Sequence, residues 1–153
     1  MKSYFNDIRD FHEKFSLEYN GPPRQLHGDF GQFRSKFMAE ELAEYLGFDD
    51  AEKKFFCDLA VMKSEWTSLE HQLDALVDLV YVAVGTAYMH GFDFDEAWRR
   101  VHEANMKKVR AVKASDSLRG STYDVVKPPG WKPADLSDLV SNDDSGPSVL
   151  GEE

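Results

Sequence analysis

The segment from Leu73 to Tyr88, LDALVDLVYVAVGTAY, constrains the fold more than any other stretch of the chain. At about 100° per residue, its apolar side chains occupy nearly the whole circumference of a helix. We therefore expect a buried helix at the centre of a helical bundle. The segment is shorter than a bilayer span and carries acids, which disfavours a transmembrane helix.

Apolar periodicity and capping residues predict further helices on both sides of this segment. Apart from the short TYDVV segment, we find no strand-like alternation longer than four residues. The sequence thus predicts an all-α bundle of four to five helices with an irregular C-terminal extension. The predicted helices cover residues 3–18, 30–48, 49–62 and 68–90, and a last helix runs from Asp93 or Asp95 to about Val112. We expect residues 1–136 to form one domain and residues 137–153 to be an acidic, disordered tail.

Composition narrows the class of protein and its partners. A chain of 153 residues with 42% hydrophobic residues can bury one core. Its net charge of −10 disfavours nucleic acid and anionic membranes as partners. The lone Cys57 excludes an internal disulfide, and the first fifteen residues contain no apolar run like that of a signal peptide. We expect a soluble, cytoplasmic protein.

The helix predicted over residues 30–48 carries acids where an amphipathic helix carries apolar side chains. Glu41 and Glu44 fall inside the stripe that contains Phe33 and Phe37, and Glu40 lies at its edge. An ordinary surface helix turns its carboxylates away from its aromatic residues. These acids are therefore candidates for a functional site, although an ExxE pair also occurs on many solvated helices.

The central apolar helix carries a second pair, Asp74 and Asp78, one turn apart. Two buried carboxylates need compensation, and no Lys or Arg occurs between residues 64 and 98. The compensating charge comes either from a salt bridge to another helix or from a metal. Packing the two acidic helices together would gather four carboxylates, a ligand set suited to Mg²⁺ or Mn²⁺. The chain has a single cysteine and no HExxH pair, and both facts argue against a zinc site.

Together, ExxE and the later DxLxDLxYVxxG segment resemble the MazG superfamily of all-α nucleoside triphosphate pyrophosphohydrolases. The closer likeness is to a bacterial and phage branch often labelled Cof-like. It extends over "DALVDLVYVAVGTAYMHGFDFDEAWRRVHEANMKKV" and "VVKPPGWKPADL", so it covers roughly residues 30–136.

The resemblance implies a metal site. In the family, ExxE and a following ExxD hold Mg²⁺ against the triphosphate. Glu41 and Glu44 match ExxE, and Asp78 matches the Asp of ExxD. Ala75 stands where the family has the Glu of ExxD, and Asp74 is the nearest substitute.

The resemblance also implies substrate contacts in the last helix and in the proline-rich segment. Asn105 and Lys108 match the family's polar contacts to the substrate, and Lys127 is a further phosphate contact. Trp131 either covers the site or pins its segment to the bundle. Glu40 is a metal ligand, the base for the attacking water or a solvated residue.

The activity implied is Mg²⁺- or Mn²⁺-dependent cleavage of a (deoxy)nucleoside triphosphate between its α and β phosphates, with a lean towards dGTP. The compartment implied is the cytosol of a bacterium or of a phage-infected host. The alternative is a catalytically weak module that binds a nucleotide or a protein, which the departure at Ala75 favours. The heavy apolar loading of the helices predicts a homodimer or homotetramer, and the resemblance implies the same.

Overall fold

The computed structural model describes residues 3–62 and 67–140 and confirms the all-α class. Within these residues the chain forms five α-helices and one short antiparallel strand pair. The elements are α1 (Tyr4–Lys14), α2 (Gly28–Leu46), α3 (Asp50–Val61), α4 (Leu69–Met89), α5 (Phe94–Asn105), β1 (Val109–Arg110) and β2 (Val125–Val126).

Two helices begin at capping residues that the sequence predicts. The hydroxyl of Ser3 accepts a hydrogen bond from the backbone N–H of Asn6, which opens α1. Asp49 and Glu52 form a reciprocal capping box at the start of α3. Gly47 ends α2 with a φ of 73°, a left-handed conformation that glycine adopts without a steric penalty. These local bonds satisfy backbone groups that a helix end leaves unpaired.

The prediction for the last helix is wrong at its C-terminal end. That helix stops at Asn105 instead of continuing to Val112, and the chain turns into β1. Val109 pairs with Val126 across the two strands, so the strand suggested by TYDVV is confirmed. Pairing of β1 with a strand sixteen residues further on outweighs the local preference for helix.

The tightest packing joins α2 to α3. Ala39 and Ala43 are buried on α2, and Cys57, which is 1% exposed, is buried on α3. Small side chains let the two helices approach closely.

The prediction that α4 is buried is wrong for the single chain. Val80 is 61% exposed, Tyr81 79% and Tyr88 83%. Within the described residues α4 packs against α5 and makes little contact with α2. The helices of the described residues do not cover the circumference of α4. Its apolar surface therefore stays open in the isolated subunit.

No single helix of the described residues is long and apolar enough to span a membrane. The helices α4 and α5 reach that length and apolarity only together, across a bend of 119°.

The first part of the predicted tail is structured. Residues 137–139 form a 3₁₀ turn, and Asp138 accepts a hydrogen bond from Arg100 of α5 at 2.6 Å. The remainder of the predicted tail, residues 141–153, lies outside the described residues.

Candidate functional site

The side chains of three acids in α2, Glu40, Glu41 and Glu44, have different surroundings although they lie within two helical turns. The side chain of Glu40 is 15% exposed and accepts a hydrogen bond from Nε of Arg119 at 2.6 Å. Glu41 is exposed, and the side chain of Glu44 is 60% exposed. The prediction that Glu41 and Glu44 point into the core is thus wrong, because the face of α2 that packs on α3 carries Ala43 instead.

Arg119 connects Glu40 to a second buried carboxylate. Its Nη1 donates to Asp124, whose side chain is 2% exposed, at 3.2 Å. Asp124 also accepts hydrogen bonds from the hydroxyl of Ser117 at 2.6 Å and from the backbone N–H of Val125 at 2.9 Å. The segment after α5 is therefore joined to α2 through one guanidinium group between two carboxylates.

Sequence reasoning missed both Arg119 and Asp124. The available signal was Asp124 itself, a carboxylate inside the apolar strand segment TYDVV. An acid in such a segment is rarely buried without a partner. Its partner lies in a loop with no recognisable motif, so only the folded chain identifies it.

The carboxyl group of Glu41 lies where its ionised form is disfavoured. Surrounding protein atoms raise its pKa by desolvation, and the neighbouring Glu44 and Glu40 carboxylates raise it further. Arg119 and Lys108 oppose this effect. Because the pKa is raised on balance, a cation placed beside Glu41 would stabilise the carboxylate.

Glu44 has a cation of its own. Nζ of Lys53, on α3, donates a hydrogen bond to Oε1 of Glu44, and this bond raises the pKa of Lys53. A metal that binds Glu44 would have to share this carboxylate with Lys53 or displace it.

Two lysines lie over one tryptophan ring beside these acids. Nζ of Lys108 is 5.3 Å and Nζ of Lys127 is 5.1 Å from the centroid of the Trp131 ring. Desolvation lowers the pKa of Lys108, nearby Lys127 lowers it further, and Glu41 opposes the change. Two cations held together against an aromatic face are poised to attract an anion.

Trp131 also pins its segment to the bundle, as one of the two sequence interpretations has it. Its Nε1 donates to the backbone oxygen of Ala104 in α5 at 2.7 Å. Asn105, the last residue of α5, is half-buried. Lys108 lies beyond the helix, in a turn where its N–H bonds the oxygen of Asn105 at 3.1 Å. Asn105 and Lys108 therefore do not share a helical face, because the helix predicted to run to about Val112 ends before Lys108.

Asp74 and Asp78 are exposed on α4, so the expectation that they are buried is wrong for one chain. In the part of the chain that the structure describes they form no ion pair. The alternative of a core salt bridge is therefore not observed either. Nor do the described residues bring together three or more Asp, Glu, His or Cys side chains that could hold a metal. The expected cluster of four carboxylates does not form within a single chain.

The donor chemistry of α2 nevertheless fits a hard divalent cation. Glu41 and Glu44, three residues apart on one helix, supply carboxylate oxygens from neighbouring positions. The raised pKa of Glu41 indicates that its negative charge lacks full compensation. These two residues would hold Mg²⁺ or Mn²⁺, with further ligands from outside α2.

Comparison with known families matches residues 8–105, well over half of the chain, to phosphoribosyl-ATP pyrophosphohydrolase. No curated protein and no solved structure matches the chain. The matched region runs from α1 to the end of α5 and so includes Glu41, Glu44, Asp74 and Asp78. The chain therefore belongs to the phosphoribosyl-ATP pyrophosphohydrolase family of all-α, MazG-like proteins.

Proposed function

We propose that this protein is a metal-dependent nucleoside triphosphate pyrophosphohydrolase that cleaves between the α and β phosphates. The products are a (deoxy)nucleoside monophosphate and pyrophosphate. Membership of the family supports pyrophosphohydrolase chemistry on a nucleotide. The surroundings of Glu41 support it most directly, because this carboxyl interacts electrostatically both with the acids Glu44 and Glu40 and with the cations Arg119 and Lys108.

Each group has a role in this mechanism. Glu41 and Glu44 hold the metal, and Lys108 and Lys127 neutralise phosphate oxygens that the metal leaves uncovered. Asn105 lies at the end of α5 beside them as a further polar contact, and Trp131 keeps the two lysines in place. When bound by Glu41 and Glu44, Mg²⁺ or Mn²⁺ would supply Lewis-acid polarisation of the phosphoryl group.

Glu40 is the base that receives the proton of the attacking water. Its carboxylate is anchored by Arg119, which makes Arg119 the positioning residue for this step. A fixed orientation is what general-base catalysis requires, because the accepting oxygen must lie within hydrogen-bond reach of the water.

The active form is a homodimer or homotetramer. The open apolar surface of α4 supports this assembly: Leu73, Val77 and Val80 are 65%, 58% and 61% exposed. Surfaces of that kind normally become interfaces. Assembly through α4 also moves Asp74 and Asp78 into an interface, where they complete the carboxylate set begun by Glu41 and Glu44.

We place the chain in the bacterial and phage branch of the superfamily and expect a purine deoxynucleotide, in particular dGTP, as substrate. The expected compartment is the cytoplasm, where nucleoside triphosphates are made. The alternative function is a catalytically weak binding module for a nucleotide or a protein, and Ala75, in place of the family's acid, is the residue that favours it.

Pyrophosphate release from a panel of ribo- and deoxynucleoside triphosphates tests the proposal, with phosphoribosyl-ATP included because the family carries that name. We expect release with Mg²⁺ or Mn²⁺ and none with chelator. Release of orthophosphate instead of pyrophosphate would contradict the proposed cleavage. Failure with every nucleotide would favour the binding module.

The variant Asp78→Asn tests the contribution of α4. We expect activity to be abolished while the metal-free protein keeps or gains thermal stability, because Asp78 has no ion pair among the described residues and the change removes an uncompensated charge. An active Asp78→Asn variant would remove α4 from the metal site.

A further inference from the structure

A large cavity lies beside the first turns of α2. It is an open cleft of about 990 Å³, lined by α1, the segment over residues 17–27, the first turns of α2 and Tyr123. Much of its wall is aromatic: the rings of Phe30 and Tyr123 lie 4.6 Å apart, and Phe33 stands one turn further along α2. A cavity of this size with aromatic walls suits a flat heteroaromatic ligand.

The charge of the cavity is opposite to that of the chain. The protein carries a net charge of −10, yet the described residues that line the cavity include a single acid, Glu18. The basic lining residues are Arg9, Arg24, Arg34, His12 and His27. This surplus of hydrogen-bond donors favours a ligand rich in acceptors.

Two of the three arginines already have partners. Nε of Arg9 lies 3.8 Å from Oε1 of Glu13, and the guanidinium of Arg24 stacks 3.7 Å from the ring centroid of Tyr19. Arg34 makes no ion pair among the described residues. Its guanidinium carbon lies 5.8 Å from the ring centroid of Phe37. Its forked donor group is therefore available to a ligand.

Solvent can reach the side chain of Arg34, although neighbouring protein atoms partly desolvate its guanidinium. Solvent reaches its side chain through the cavity, but the surrounding protein atoms lower its pKa. The guanidinium stays protonated near neutral pH and can only donate hydrogen bonds. A ligand that carries hydrogen-bond acceptors would therefore pair with a guanidinium that is already partly desolvated.

The cavity lies at a suitable distance from the acids. Arg34 and Glu41 are two helical turns apart on one face of α2, which places them about 10 Å apart along the axis. The ring of Phe37 contacts both Arg34 and Arg119, the latter at 4.2 Å. A nucleotide extended along α2 would place its phosphates at Glu41 and its base near Arg34.

We propose that this cavity is the base-binding subsite and that Arg34 selects guanine by donating two hydrogen bonds to O6 and N7. This inference rests on the proposed function. Guanine presents two adjacent acceptors that match the guanidinium fork, whereas adenine presents a donor at the position of O6. Arg34 thereby makes dGTP, rather than dATP, the preferred purine substrate.

The kinetic test compares kcat/KM for dGTP and dATP in wild-type protein, Arg34→Gln, Arg34→Lys and a control, Arg99→Gln. Arg99 is an ion-paired surface residue of α5 outside the cavity. We expect both Arg34 variants to lose about tenfold or more of the preference for dGTP, because lysine keeps the charge but not the fork. The control should keep the wild-type ratio. An unchanged ratio in folded Arg34→Lys would overturn the inference even if pyrophosphate is released.

A binding test does not depend on catalysis. Calorimetry with deoxyguanosine and deoxyadenosine, without metal, should show tighter binding of deoxyguanosine, and Arg34→Gln should remove the difference. This result would uphold the subsite even if no triphosphate is cleaved. Equal binding of the two nucleosides by wild-type protein would overturn it. So would a change in particle mass for Arg34→Gln with unchanged selectivity, because the cavity would then be covered by a second copy of the chain.

Discussion

Removing the guanidinium of Arg119 should destabilise the fold more than removing any surface arginine. In Arg119→Met the aliphatic stem keeps its contact with Phe37, but Glu40 and Asp124 lose their common cation. The two carboxylates are 15% and 2% exposed, so water cannot replace the lost partner well.

The expected magnitude follows from what each carboxylate retains. Asp124 keeps the donors of Ser117 and Val125, which limits its share to about 1.5 to 3 kcal/mol for a hydrogen bond to a charged group. Glu40 loses its hydrogen bond from Nε of Arg119, and breaking a buried pair costs about 3 to 5 kcal/mol. Because these effects are not additive, we expect a total loss of about 4 kcal/mol. That is a large part of the roughly 5 to 15 kcal/mol that stabilises a domain.

Urea unfolding followed by tryptophan fluorescence, at one fixed protein concentration, measures this change. In a separate thermal unfolding experiment, the melting temperature should fall by about 10 °C. The matched control, Arg99→Met, removes ion pairs of a half-exposed arginine and should cost less than about 1 kcal/mol. The double variant Arg119→Met/Glu40→Gln should recover part of the loss, because it removes the unpaired charge. An Arg119→Met variant within about 0.5 kcal/mol of wild type would refute the reasoning.

Further predictions concern the acids of α2 and the surface of α4. Because the pKa of Glu41 is raised in the folded state, the unfolded state loses this proton first as the pH rises, and folding stability falls. Metal-free Glu41→Gln should therefore gain stability over wild type as the pH rises above the ordinary pKa of a glutamate carboxyl, as measured by urea midpoints; a difference independent of pH would contradict this. In calorimetry with Mn²⁺, Glu41→Gln and Glu44→Gln should each weaken binding, whereas Glu40→Gln should bind nearly as wild type and turn over more slowly. Equal losses of affinity in all three variants would show that the roles are misassigned. Light scattering should give at least twice the 17.5 kDa mass of one chain, and Val80→Asp should dissociate the particle. An active wild-type particle of 17.5 kDa would exclude the assembly.

Helix boundaries were predictable wherever a local interaction sets them. Ser3 and Asp49 bond backbone groups within three residues of themselves, so their effect is visible in the sequence. The end of α5 was not predictable in this way. It depends on the pairing of Val109 with Val126, and a helical pattern continues past Asn105 without any sign of that partner.

The acids of the candidate site were found, but their surroundings were not. Glu41 and Glu44 stood out because they interrupt an aromatic stripe, yet Glu40 is the carboxylate that is turned inward. The residue that holds it, Arg119, is 79 positions away. No periodicity connects positions so far apart, because the bond depends on how the loop after α5 folds back onto α2.

By itself, the sequence determined the helical class, most of the helix starts and the presence of paired carboxylates on two helices. These follow from residue spacing and from bonds within a turn, which every chain of this sequence makes locally. Only the tertiary structure decided that Arg119 joins Glu40 to Asp124, that a cavity lined by Arg34 lies along the first turns of α2, and that α4 is open to solvent in the part of the chain that the structure describes. An apolar helix must be covered, but the pattern of its side chains is the same whether its own chain or a second copy covers it.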